Sequence, residues 1–152
     1  MTVITQSQLA LAQQWYAQVR ARHEEWSWQI GDWACLAQEA PDERDMFLVE
    51  HVWEGLLEVR SPTAAPTPLP LRQPAEHFFP LPSWERGRAW LRRHGWGLPY
   101  CTTDGMTITW FFEPYHTDLD ELLPAQGTTD LECLYTVMLH AIERAGRCGH
   151  QC

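Results

Sequence analysis

Thr5-Gln6-Ser7-Gln8 and Thr129-Asp130-Leu131-Glu132 decide the fold. Each sets a Thr three residues ahead of a Gln or Glu, which is the spacing of a capping box. The Thr hydroxyl accepts from the backbone N–H three residues on, and the longer side chain accepts from the Thr N–H. Ile4 and Leu9 stand where a hydrophobic staple would clasp the first start. A helix is therefore predicted near each end of the chain. The first runs from about residue 6 to 24, with Leu9, Ala12, Tyr16 and Val19 as its apolar stripe and Trp15 widening it. The last runs from about 130 to 145, burying Leu134, Val137, Met138, Ala141 and Ile142, with Gly146 as its stop.

Working inward, Trp26, Trp28 and Ile30 alternate with polar residues at strand period, and Trp33, Cys35 and Ala37 resume after Gly31-Asp32. Residues 38–45 read as an acidic loop around Pro41. Met46 to Val52 and Leu56 to Arg60 make a hairpin about Trp53-Glu54-Gly55. Seven of the eleven prolines fall between Pro62 and Pro82, which forbids a helix or a long inner strand there. An extended connector over 61–82 is expected. Ser83 caps a third helix with Glu85 in its first turn and Gly95 past its end. Tyr100 to Thr102 and Met106 to Glu113 then flank Asp104-Gly105, a strong hairpin signal. The expected fold class is α+β: a small mixed or antiparallel sheet of about four to six strands packed with three helices in a two- or three-layer sandwich. Residues 1–147 read as one domain and 148–152 as a flexible tail bearing Cys and His.

The formal net charge of −9 is uneven: −6 over residues 1–60, +3 over 61–100 and −6 over 101–152. Direct nucleic-acid binding and anionic membranes are thereby disfavoured, because phosphates need a cationic face, while a basic protein partner fits. All eleven basic residues are Arg. The chain therefore has no lysine for a Schiff base or a Walker-type phosphate loop. No run reaches membrane-span length, and the first residues lack the pattern of a secretory signal. Five Cys without a framework spacing read as reduced thiols, so a cytoplasmic location is expected.

Three groups of residues could carry function. Nine Trp exceed what this length ordinarily uses, and exposed members among Trp26, Trp28, Trp33 and Trp53 would anchor a protein partner. Cys148, His150 and Cys152 offer soft metal ligands, but not at the usual zinc spacing. His116 with Glu113, Asp118, Asp120 and Glu121 could support acid–base work or bind a cation, although a solvated acidic turn explains them more simply. Arg86, Arg88, Arg92 and Arg93 flank the apolar arc of their helix without making one stripe, so they read as border residues paired with the acidic remainder.

Gly31-Asp32-Trp33 on an early strand, Leu81-Pro82-Ser83-Trp84 opening a helix that ends at His94-Gly95, and Thr128-Thr129-Asp130-Leu131-Glu132 opening the last helix form a layout. That layout resembles small uncharacterised bacteriophage and prophage proteins of the helix–sheet–helix (ABA) sandwich type, mainly over residues 80–145. The resemblance implies a fold and a mobile-element setting, and no activity or functional residues. The expected role is a non-catalytic protein-binding accessory factor without a cofactor, its partner another protein or a second copy in a homodimer. The rivals are a nucleic-acid-mimicking inhibitor of a basic nuclease, and an enzyme or metal-binding protein using His116 or the Cys tail.

Overall fold

The computed structural model describes residues 4–62, 71–103, 105, 107–114, 123–127 and 129–148. Both capped starts open helices, α1 over Gln6–Ala21 and α3 over Asp130–Cys148. The first box is complete: Gln8 N donates to Thr5 Oγ1 at 3.2 Å, and Thr5 N donates to Gln8 Oε1 at 3.1 Å. At α3, Glu132 N donates to Thr129 Oγ1 at 3.1 Å. The two starts are also bonded to each other. Gln8 Nε2 donates to Thr129 Oγ1 at 2.6 Å, and Gln8 is the one buried polar side chain among the described residues. The helices thus begin side by side and pack along one another.

Their far ends depart from expectation. α1 stops at Ala21 because His23 turns left-handed, at φ 59°, and Glu24 N bonds back to Val19 O at 3.1 Å, a Schellman closure. α3 runs through Gly146 to Cys148. A single interior glycine costs a packed helix only about 1 kcal/mol and does not stop it.

The strands fall into two antiparallel sheets. The first joins β1 (Trp33–Leu36), β2 (Met46–Trp53), β3 (Leu56–Arg60), β4 (Leu71–Pro74) and β5 (Phe78–Leu81) in the order β4-β3-β2-β1-β5. The helix α2 (Trp84–Arg93) follows, capped by Ser83. The second joins β6 (Trp96–Thr103), β7 (Ile108–Pro114) and β8 (Leu123–Gly127) in sequence order. The α+β reading therefore holds.

The proline-rich stretch is more than a connector, since it supplies both edges of the first sheet, β4 and β5. An edge strand is where a missing N–H does least harm. Only the three residues of a 3₁₀ turn, Ala75–His77, lie between these edges. Four residue steps reach about 14 Å at most, whereas the edges of a flat five-strand sheet lie about 19 Å apart. The sheet must therefore curl toward closure.

The curl encloses a small core of Ala34, Val49, Leu57, Val59 and Phe78. The alternate residues Cys35, Phe79 and Leu81 face a larger core shared with all three helices. Within it Trp15 meets Trp26 and Trp90 edge-on, with centroids at 5.7 and 5.4 Å. α3 packs on β7 and β8 as well as on α1 and α2, so it lies inside the molecule. α2 crosses it at Gly87, where a Cβ would come within 2.6 Å of Leu134 Cδ2. None of the described helices is long and apolar enough to cross a membrane.

Trp26, Trp28 and Ile30 are not in a strand. The loop carrying them is held by side chains: Asp32 Oδ2 accepts from Gln29 N at 3.0 Å, Trp26 Nε1 at 3.3 Å and Arg86 Nη2 at 2.9 Å. Arg86 also donates to Ser27 O and lies over the Trp26 ring, 4.6 Å from its centroid.

Candidate functional site

The loop tied down by Asp32 forms one wall of an open cleft of about 550 Å³. Tyr16 and Arg20 line it from the second half of α1, His23, Glu24 and Glu25 from the turn that ends the helix, and Trp26 and Trp28 from the loop. The opposite wall is the β2–β3 turn at Glu54-Gly55 and the 3₁₀ turn at Ala75-Glu76. One bond ties the two turns of that wall together and another links it to α1. Ala75 N donates to Gly55 O at 3.0 Å, and Arg20 Nη1 reaches across to Glu76 O at 3.3 Å. The Schellman turn aims Glu24 away from α1 toward α2. There His94 Nε2 meets both its oxygens at 3.0 Å, while Nδ1 faces Trp90 O at 2.9 Å. Both ring nitrogens of His94 thus face acceptors, and its ring stacks on Trp90 with a centroid distance of 4.0 Å.

The charges facing this cleft are unequal. Glu24 is held by His94 Nε2. Among the described residues Glu25, Glu54 and Glu76 form no ion pair, and their carboxylates take no hydrogen bond. Arg20 and His23 are the cationic types on the lining. Burial pushes the Tyr16 phenol above its ordinary range, with Arg20 opposing and Glu25 adding to the rise. The aromatic walls are firm. Trp28 is half-buried and packed against both cores, and its indole N–H has no hydrogen-bond partner among the described residues. Acid beside fixed aromatic surface suits a cation on an apolar stem. It lacks a nucleophile paired to a base.

The four tryptophans singled out in the sequence take different places. Trp26 is 7% exposed and belongs to the core, so it offers no free indole face. Trp28 stands in the cleft. Trp33 is half-buried and lines a second, apolar cavity of about 460 Å³ with Ile4, Met46, Leu81, Trp84 and Leu131. Trp53 is 42% exposed on the outer face of the first sheet, beside His51 and under Arg72, which lies 4.9 Å from its ring centroid. Glu58, on β3 between them, pairs with both Arg72 of β4 (3.4 Å) and His51 of β2 (3.7 Å). Trp53 is followed directly by Glu54 and Gly55, so its strand ends on the cleft wall.

His116, Asp118, Asp120 and Glu121 lie outside the described residues, as do His150 and Cys152; Cys148 closes α3. Among the described residues no group of three His, Cys, Asp or Glu side chains is placed to hold a metal. Two thiols are deep in the structure: burial pushes Cys35 up to about 12 and Cys133 up to about 11. Sequence reasoning missed Tyr16, Glu25, Glu54 and Glu76 as one site. They come from four separate segments, and no spacing links them. A usable signal was the acidic pair Glu24-Glu25 running straight into Trp26 and Trp28. No family model, no curated protein and no solved structure matches this chain.

Proposed function

We propose that this chain is a cytoplasmic, non-catalytic accessory protein that binds another protein through the cleft at Trp28 and the adjoining sheet face at Trp53. The observation that carries the reading is Trp28 itself. A half-buried indole wedged against two cores, with its N–H unpartnered among the described residues, opens into a cleft of about 550 Å³. Rigid aromatic anchors of this kind dominate binding energy at protein interfaces, and the surrounding polar rim mainly excludes water. The exposed Trp53 lies on the strand whose turn builds the cleft wall, which lets one partner engage both. The phage or mobile-element setting rests on the resemblance of residues 80–145 alone.

Affinity capture from the source cell tests this. The wild-type chain should retain a specific protein that a Trp28→Ala/Trp53→Ala variant loses, the variant keeping its circular-dichroism spectrum. The same retained proteins on wild type and variant would remove the reading.

A further inference from the structure

We infer that the cleft at Trp28 accommodates a lysine or arginine side chain of the partner, its cation lying among Glu25, Glu54 and Glu76 and its alkyl stem on Trp28 and Tyr16. This deepens the protein-binding reading above and rests on it. Charge complementarity points to the occupant. Three carboxylates that form no ion pair among the described residues, with Glu24 beside them, face one cleft and outnumber its cationic types, Arg20, whose Nη1 is bonded to Glu76 O, and His23. A concave surface lined by one sign of charge concentrates such a field on whatever cation enters. The aromatic half of the cleft selects further. A hydrated metal ion has no use for an indole, whereas a basic side chain presents methylenes to the ring and a cation to its face or rim.

The protein meets the same problem within its own fold in the same way. Arg86 lies over Trp26 while bonding Asp32, and Arg72 lies over Trp53 while bonding Glu58. Trp28 with its neighbouring glutamates repeats that pairing of ring and carboxylate, with no cation of this chain laid over the ring among the described residues. The volume exceeds that of one side chain and fits a basic residue together with its flanking backbone.

The lysine-free sequence gives a clean test. A water-soluble carbodiimide joins carboxylates to amines, and this chain has no side-chain amine to compete. The probe is a short Gly/Ser peptide, N-acetylated and C-amidated, carrying two lysines; the control replaces each lysine with norleucine, which leaves it no amine. The expected result is amide cross-links mapped to Glu25, Glu54 and Glu76, none with the norleucine peptide, and about tenfold weaker binding for Trp28→Ala. Glu25→Gln/Glu54→Gln/Glu76→Gln should abolish binding, while Glu39→Gln/Glu43→Gln/Glu85→Gln, equal in charge, should leave it unchanged. Cross-links spread over Glu39, Glu43 and Glu85, or equal losses in the two triple variants, would reduce the effect to net charge and overturn the proposal. If the peptide fails to bind while the cellular partner is still lost by Trp28→Ala/Trp53→Ala, the cation is wrong and the protein-binding reading stands.

Discussion

His23 holds φ 59° on the rim of the cleft, the one described non-glycine residue with a positive φ. An L-residue in that conformation costs about 1–2 kcal/mol, and glycine would relieve it at an entropic cost of about 0.5–1 kcal/mol. His23→Gly should therefore stabilise the fold by about 0.5–1 kcal/mol, raising the thermal midpoint by about 1–4 °C at this chain length. Differential scanning calorimetry checks it. A second residue-scale outcome comes from burial of Cys35, Cys133 and Tyr135. Each is raised above its ordinary value, Cys35 to about 12 and Cys133 to about 11, and the Tyr135 hydroxyl is also tied to Pro82 O at 2.7 Å. The fold prefers the protonated forms. In the unfolded chain the thiols release their protons at lower pH, so stability is full below about pH 8.5 and declines as pH climbs toward the folded values. Thermal midpoints measured from pH 7 to 11 should fall steadily above pH 8.5, and Cys35→Ala/Cys133→Ala should flatten that slope.

At the scale of elements, the pair of helix starts behaves as one unit through Gln8 and Thr129. Gln8→Ala removes a reciprocal cap and leaves Thr129 Oγ1 one donor short, at a cost of about 1–2 kcal/mol. Urea titration of Gln8→Ala, Thr129→Ala and the double variant should reveal coupling of at least about 0.5 kcal/mol; strict additivity would detach the two starts. This is also where the reach of the sequence is plainest. Both boxes were legible because capping is local, set by side chains three residues apart. That Gln8 would bond Thr129 was not, since it depends on where 120 residues of chain return. Pro80 and Pro74 correctly bar inner strands, yet a strand at a sheet edge satisfies the same rule, so composition alone does not separate these two edges from a connector. β8 escaped because Leu123–Gly127 holds Pro and Gly with no β-branched residue, and only its pairing with β7 makes it a strand. Alternation at Trp26, Trp28 and Ile30 mimicked a strand, but the carboxylate of Asp32 and Arg86 of a distant helix shape that loop instead.

For the whole molecule, a net charge of −9 sets a long-range field that attracts cations, and the proposed cleft is lined by four of the glutamates. The chain distributes its nine indoles accordingly. Trp15, Trp26, Trp90 and Trp96 are buried in the core, while Trp28 is half-buried in the cleft and Trp53 is exposed. The most direct measurement is a ¹⁵N–¹H correlation spectrum of the indole N–H groups during titration with the dilysine peptide. The Trp28 signal should move progressively with peptide, while those of Trp15 and Trp90 stay fixed. A Trp28 signal that does not move at saturating peptide, or movement confined to Trp84 and Trp110, would contradict that expectation.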